Sequence, residues 1–219
     1  PNMKHLLLSI YCFLALDSVF CQKYDYVWLS GAFTNADSAT NFIVDFKTFP
    51  PVIDKIDSKM LITFANCSVS DKAGDLAFYT NLCTVKNREH ETLYNGEGLS
   101  LGPFHDFYCG TSGTYNLVQG VFALPGTDQT YDLFHLRGLI DPPGPNFVCW
   151  RGALLHSRID MNAQQGKGEV LFKDSVLLEA CLQTACANRH ANGRDWWILA
   201  ADNTENRFYR FLSTPDGIE

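Results

Sequence analysis

The chain has 219 residues, of which 46% are hydrophobic and 19% charged, a composition that suits a folded core and excludes a disordered, charge-rich protein. Its formal net charge of −7 argues against an electrostatic nucleic-acid binder, which normally presents a basic face. Aromatic residues make up 13% of the chain, and the abundance of Phe, Tyr, Gly and Pro favours β-structure over helix.

The first recognisable pattern is an apolar run near the amino terminus. Met3 is the expected start, and residues 6–16 (LLLSIYCFLAL) follow a short polar head. This arrangement is typical of a secretory signal peptide, and the run is shorter than the roughly 20 residues that a membrane span needs. We predict a signal peptide over residues 1–21 and no membrane span after its removal. A buried N-terminal element and lipidation of Cys21 are the alternatives.

The cysteines are consistent with an exported protein. The chain has eight, and the six beyond the predicted signal peptide are an even number that allows disulfides. The pairs expected first are Cys67 with Cys83 and Cys181 with Cys186, and buried free thiols are the alternative. No CxxC pair occurs and the candidate ligands do not cluster, so no metal site is predicted.

Short runs of β-branched and aromatic residues recur along the rest of the chain and predict strands. These runs are residues 24–31, 42–46, 60–65, 75–81, 117–124, 130–136, 154–160, 169–173, 194–200 and 208–212. Turn-forming residues separate them, at 71–74, 95–96, 125–126, 166–168, 192–193 and 216–217. One segment, 176–187, is a candidate helix.

The strongest aromatic runs are widely spaced. Trp28, Phe78, Phe134 and Trp197 follow one another at intervals of 50, 56 and 63 residues. A period of this order with about four short strands in each predicts the stacked sheets of a β-propeller. Every such sheet has two apolar faces that a neighbour must cover, which accounts for the aromatic content. A two-sheet β-sandwich is the alternative.

Several segments resemble a known family. Residues 69–102, which include the string DLAFYTN, resemble a blade of the large WD40-like propeller proteins that Bacteroidetes export, many of which carry a type IX secretion tail. Leu82 stands where that family usually has Gly. Residues 119–136, 155–170 and 190–218 resemble further stretches in the same order, and HANGRDWW at the start of the last is the most specific.

The resemblance implies an all-β fold in which residues 22–219 form an incomplete β-propeller. Because a closed propeller needs about four to eight blades, this length implies three to four blades of four-stranded antiparallel sheet. The chain would then be an N-terminal fragment of a longer protein. The resemblance also implies a secreted or extracellular location, or one at the outer-membrane surface.

Two groups of polar residues are candidates for function. His190, Arg194, Asp195 and Trp196 are the candidate binding residues, facing a central channel or a partner. A structural role is favoured over binding, because the neighbouring Asn-Gly pair is typical of a two-residue hairpin turn. The histidines at 135 and 156 lie in apolar strands, which favours hydrogen-bonded core residues over metal ligands.

No catalytic residue is predicted, because the chain contains no GxSxG, HExxH or P-loop motif. The sequence therefore favours a non-enzymatic binding or scaffold module for an unidentified protein or glycan partner, without a cofactor. A propeller-fold glycan-active enzyme and a structural repeat of an adhesin are the alternatives.

Deletion of residues 3–21 is expected to abolish export, because it removes the apolar run that the export machinery recognises. Fractionation of expressing cells followed by immunoblotting measures the effect. Gln22→Asn, which lies outside the apolar run, is the control and should still be exported. An exported shortened chain would contradict the signal-peptide assignment.

Overall fold

The computed structural model of the chain describes residues 23–32, 40–118, 120–140 and 151–219, so the predicted signal peptide lies outside the described residues. Strands dominate, which confirms the all-β class. They are β1 (Val27–Ala32), β2 (Thr40–Asp45), β3 (Val52–Ile56), β4 (Cys67–Ser70), β5 (Leu76–Thr80), β6 (Thr84–Asn87), β7 (Thr92–Glu97), β8 (Val121–Pro125), β9 (Thr130–Gly138), β10 (Arg151–Asp160), β11 (Glu169–Glu179), β12 (Leu182–Arg189), β13 (Trp196–Asp202), β14 (Phe208–Thr214) and β15 (Gly217–Ile218). The described residues also include helix α1 (Pro103–Ser112) and the short α2 (Ala163–Gly166).

The strands form three sheets in which chain neighbours pair antiparallel. The first sheet has the order β1-β2-β3, the second β4-β5-β6-β7-β11-β10-β9-β8, and the third β12-β13-β14-β15. The eight-stranded sheet consists of two four-stranded meanders, joined where Tyr94 of β7 lies opposite Glu169 of β11 in parallel pairing. Its end strands β4 and β8 approach each other, so this sheet is nearly closed.

Two hydrophobic clusters hold the sheets together. The main cluster extends from β4 to β13 and includes Phe78 and Phe134, neither of which is exposed. Rings in it stack between neighbouring strands, as where Phe122 lies 5.3 Å from Phe134. The smaller cluster packs Val27 and Leu29 of β1 against β5. Burial of each large apolar side chain stabilises the fold by roughly 1.5–3 kcal/mol.

Most predicted strands are confirmed, and two segments differ. Residues 60–65 form bends rather than a strand, and still contribute Met60 and Ile62 to the smaller cluster. The helix predicted over 176–187 is wrong, because this segment holds the end of β11 and most of β12. Each of these strands pairs along its length with an antiparallel neighbour, and such tertiary pairing overrides a weak local helix preference.

Local backbone geometry explains two further differences. The Asn95-Gly96 pair was expected to form a turn but lies inside β7, where the Asn95 amide donates to the Val170 carbonyl across to β11 (2.7 Å). Helix α1 was not predicted, because it is short and its sequence is only weakly amphipathic. It begins with a proline in its first turn and ends at Gly113 in the left-handed region (φ 69°), as helix ends commonly do.

The turn after β5 has an unusual residue. Leu82 has φ 65°, the left-handed region that favours glycine, which is the residue usual at this position in the resembled family. The side chain of Leu82 is fully buried in the main cluster, and this burial offsets a backbone cost of about 1–3 kcal/mol. Beside it, the Asn81 amide donates to the carbonyls of Leu61 and Gly113, which holds the turn against its surroundings.

Both predicted disulfide pairs are wrong. Cys83 is bonded to Cys109 of α1, whereas Cys67 is a free thiol. The strand register explains why Cys67 and Cys83 do not pair. Cys67 lies opposite Thr80 in the β4–β5 ladder, whereas Cys83 comes three residues after Thr80, in a turn that reaches α1.

The second pair fails for a geometric reason. Cys186 is an exposed free thiol within β12, and Cys181, which precedes that strand, is disulfide-bonded but not to Cys186. Residues five apart along an extended strand are separated by roughly 17 Å, far beyond the 5.5–6 Å between the Cα atoms of a disulfide.

The double substitution Cys83→Ala with Cys109→Ala is expected to lower the free energy of unfolding by about 3 kcal/mol. The bond closes a loop between residues 26 apart, and its loss frees the unfolded chain. Urea unfolding followed by circular dichroism measures the change. Cys186→Ser, at an exposed free thiol, is the control, and an equal loss in both proteins would contradict a stabilising role of this disulfide.

Candidate functional site

A cleft of about 680 Å³ opens between β1, β4 and β8. We call it the aromatic cleft, defined by Tyr24, Trp28, Asn66, Ser68 and Trp196, with the apolar side chains of β8 as its floor. All three sheets contribute to it: the first through β1, the second through β4 and β8, and the third through β13. Its shape therefore depends on how these sheets pack.

Trp28 reaches the cleft through the alternation of strand β1. Val27 and Leu29 are buried beneath the strand, whereas Trp28 between them is 54% exposed and points to the opposite face. The indole lies against the ring of Phe46 at 4.8 Å, which supports one side of it and leaves the rest open. The sequence analysis used Trp28 only as a marker of the repeat, although this alternation was a signal for its exposure.

Serine side chains bridge the backbone of β1 to β4 along the cleft. The backbone N–H groups of Val27 and Leu29 donate to the hydroxyls of Ser70 (2.9 Å) and Ser68 (3.2 Å). The Ser68 hydroxyl in turn donates to the Val27 carbonyl (3.1 Å). These backbone groups of β1 are therefore already paired, and the cleft presents side chains to a ligand.

The one thiol that lines the described part of the cleft is poorly suited to chemistry. Burial raises the pKa of the Cys67 thiol to about 12, so it stays protonated at neutral pH. A nucleophilic cysteine needs the thiolate form, which favourable neighbouring charges normally stabilise. Cys67 therefore lines the cleft as an uncharged packing residue and does not act as a nucleophile.

The predicted binding residues lie in and beside the loop between β12 and β13. The His190 N–H donates to the Asp195 carbonyl (2.8 Å), so the four residues between them form the loop, and not the two expected. Arg194 forms a bidentate ion pair with Asp195 (2.7 and 3.2 Å), and the Asn192 amide also donates to this carboxylate (2.6 Å). These contacts hold the pKa of Asp195 below its usual range, with the Arg194 hydrogen bond as the largest cause.

The structure brings only part of the predicted set to a ligand-accessible position. Arg194 and Trp196 line a pocket of about 120 Å³, whereas Asp195 holds the loop and His190 packs against the Trp197 ring at 5.2 Å. We call this the arginine pocket. Its other polar lining residues are Thr127, Thr130, Asp132, Arg158, Ser213 and Thr214.

Sequence reasoning did not group Arg158 and Asp132, which form the inner wall of the arginine pocket. The Arg158 guanidinium donates to both oxygens of Asp132 (2.8 and 3.1 Å), and His156 Nε2 donates to the same carboxylate (2.6 Å). Burial alone would raise the pKa of Asp132, but these hydrogen bonds and charges outweigh it and lower that pKa. Asp132 lies opposite Arg158 in the β9–β10 ladder, a register that local sequence does not specify.

A second cluster of buried polar side chains contains Ser, His and Asp, the residue types of a catalytic triad. Ser100 Oγ lies 2.6 Å from His135 Nδ1, and His135 Nε2 lies 3.0 Å from Ser157 Oγ and 3.5 Å from Asp174. Ser100 is 1% exposed and His135 is fully buried, so substrate has no access to either.

The backbone around Ser100 also argues for a structural role. The N–H groups of Ser100 and Leu101 donate to the Asp174 carboxylate (2.9 and 3.1 Å), so they are not available to stabilise an oxyanion. The cluster joins the β7–α1 loop to β9, β10 and β11. The expectation that His135 and His156 are hydrogen-bonded core histidines is confirmed.

Several other features were sought in the described part of the chain. No group of three or more His, Cys, Asp or Glu side chains in it is placed to hold a metal ion. None of its helices has the length and hydrophobicity that crossing a bilayer requires. The chain as a whole matches no protein-family model, no curated protein and no solved structure.

The contribution of His135 to the free energy of unfolding is expected to fall by about 3 kcal/mol as the pH decreases from 6.5 to 4. Burial lowers the pKa of His135 to about 4, against the opposing charge of Asp174, so the unfolded chain takes up a proton in this window before the folded chain does. Urea unfolding at four pH values measures the slope.

The matched variant is His135→Gln, which keeps a polar group at this position but cannot gain the proton. Between these pH values, the free energy of unfolding of this variant should depend less steeply on pH, by the equivalent of one bound proton. The control Gln183→Asn changes an exposed residue that does not titrate and should keep the parent slope. An unchanged slope in His135→Gln would contradict the assignment.

Proposed function

We propose that this chain is part of an exported, non-catalytic β-propeller module of the WD40-like kind found in Bacteroidetes, which binds a protein or glycan ligand outside the cell or at its surface. The aromatic cleft is the proposed binding site. The apolar run before residue 22 supports export, and the resemblance of residues 69–102 and 190–218 supports the family.

The arrangement of the meanders supports the propeller assignment. Four antiparallel meanders follow one another, the first with three strands and the others with four. Their first strands β1, β4 and β8 lie side by side around the aromatic cleft, and β12 packs on β9 and β10. Radial repetition of four-stranded sheets around a central space is the organisation of a propeller, and a count of three to four blades fits this chain.

One observation carries the binding proposal. Two indole rings, those of Trp28 and Trp196, line the same cleft, and Trp28 is 54% exposed although both of its neighbours in β1 are buried. The volume of about 680 Å³ lies within the range of roughly 300–1,000 Å³ that ligand sites occupy. Exposed aromatic groups gathered in a concave site are typical of ligand contact.

The residues of the cleft favour binding over catalysis. A glycan hydrolase needs a pair of carboxylates across its cleft, and Asp25 is the one carboxylate among the described lining residues. The Cys67 thiol is protonated, and Ser100 and His135 are buried elsewhere. An adhesin repeat would need no such cleft.

Trp28→Ala is expected to weaken ligand binding at least tenfold, because it removes the most exposed aromatic contact of the cleft. The test applies the full chain to a printed array of plant, algal and host glycans and to immobilised peptides, and then measures the dissociation constant for each bound probe by calorimetry. Phe208→Ala is the control, since this ring is 75% exposed but lies outside the cleft.

Two results would contradict the proposal. Equal affinity of the parent chain and Trp28→Ala for every bound probe would show that the cleft is not the site. Cleavage of a bound probe during prolonged incubation, detected by mass spectrometry, would show an enzyme. Unfolding curves for both variants exclude a loss of binding through misfolding.

A further inference from the structure

We propose that the arginine pocket is the anion-binding subsite of the aromatic cleft and that the ligand is an acidic glycan. In this arrangement a sugar ring lies against Trp196, and the carboxylate of a uronic acid binds to Arg158 and Arg194. This inference rests on the proposed function, since it names the ligand class of the same site.

The two cavities share a wall. Trp196 and Pro125 line both the aromatic cleft and the arginine pocket. A ligand in the cleft can therefore extend one group past Trp196 into the pocket. At about 120 Å³ the pocket is well below the size of a complete ligand site, and it suits a single functional group.

The hydrogen-bonding capacity of the pocket is unbalanced in favour of donors. Arg158 and Arg194 each direct two of their five N–H groups at a carboxylate, which leaves three on each guanidinium. Most of the matching acceptor capacity is already used, because Asp132 accepts two hydrogen bonds from Arg158 and one from His156. An incoming group must therefore be rich in acceptors, as a carboxylate is.

Both guanidinium groups are held in place before a ligand arrives. The Asp132 side chain is only 10% exposed and that of Asp195 only 6%, so each bidentate pair is anchored on a buried carboxylate. A bidentate pair orients the planar guanidinium as well as attracting it. Little conformational entropy is then lost when the remaining N–H groups bind a ligand.

The neighbouring hydroxyls suit a sugar. The arginine pocket also contains the hydroxyl groups of Thr127 and Ser213. A uronic acid carries its carboxylate next to ring hydroxyls, and these can exchange hydrogen bonds with such side chains. The flat indole of Trp196 matches the C–H face of a pyranose ring.

The backbone of the cleft argues against an extended peptide as the ligand. A peptide that binds by strand addition needs unpaired N–H and C=O groups on an edge strand. Along β1 the N–H groups of Val27 and Leu29 and the carbonyl of Val27 are already bonded to serine hydroxyls of β4. On the β1 side the cleft therefore offers rings and side chains, which are the groups that recognise sugars.

The test measures binding of the full chain to oligogalacturonate, oligoalginate and hyaluronan fragments by calorimetry, beside the methyl ester of the same oligogalacturonate and a tri-glutamate peptide. At least one free acid should bind tenfold or more tightly than the ester, and its affinity should fall as the salt concentration rises. Arg194→Gln should lose at least tenfold in affinity for that acid and should no longer distinguish the oligogalacturonate from its ester.

Arg207→Gln removes the same charge from a residue that pairs with Asp202 outside the pocket, and it should change affinity by less than twofold. Arg158→Gln should act as Arg194→Gln does. Each substitution leaves a buried carboxylate, Asp132 or Asp195, with one partner fewer, so unfolding curves accompany both variants. Arg194 is the more exposed of the two arginines and carries the decisive comparison.

Three outcomes would overturn the inference. Equal affinity for the acid and the ester, with binding still lost in Trp28→Ala, would remove the anion subsite and leave the proposed function intact. Tighter binding of tri-glutamate than of any glycan, lost in Arg194→Gln, would make the ligand an acidic peptide. If none of the three acidic glycans binds while another array probe binds through Trp28, an acidic glycan is not the ligand, and the aromatic cleft remains the proposed binding site.

Discussion

The ring of Tyr131 is the contact on which the arrangement of the first three meanders depends. It lies 5.2 Å from the ring of Phe78 in β5 and 6.3 Å from that of Tyr24 just before β1, both edge to face. One buried side chain of β9 therefore touches the other two meanders. Because β1, β4 and β8 surround the aromatic cleft, the packing around Tyr131 also sets the width of the proposed binding site. Aromatic pairs in this geometry add about 0.5–1.5 kcal/mol each beyond their buried area.

Two buried polar networks of the eight-stranded sheet centre on β9, and the side chains at their centres are hydrogen-bonded. Asp132 and His135 lie on the same strand, one bonded to His156 and Arg158 and the other to Ser100 and Ser157. Buried groups of this kind destabilise a fold unless their hydrogen bonds are satisfied. The Asp132 network extends to the surface at Arg158, where the guanidinium keeps N–H groups that a ligand could bind. The His135 network is buried. The same chemistry thus serves packing in the His135 network and, in our proposal, recognition in the Asp132 network.

Several features could be predicted from the sequence because they are local. The β-rich class and most strands follow from runs of aromatic and β-branched residues, and the turn at 71–74 follows from an Asp and a Gly placed three residues apart. The failures concern distant partners. The segment 176–187 is ambiguous by itself and becomes strand because antiparallel partners flank it. The disulfide of Cys83 depends on where α1 packs, and the proline and glycine at the ends of that helix were weak signals.

By itself the sequence determined the β-rich class, most of the strand-forming segments and the burial of His135 and His156. Propensity and alternation act over a few residues, so one chain is enough to read them. Only the tertiary structure decided which residues of the HANGRDWW string line a cavity, since it places Arg194 and Trp196 at pockets and bonds Asp195 within the loop. It also placed Asp132 beside Arg158, and Trp28 in the same cleft as Trp196. Strand register and sheet packing are long-range choices, made by the burial of the whole core and not by any short segment.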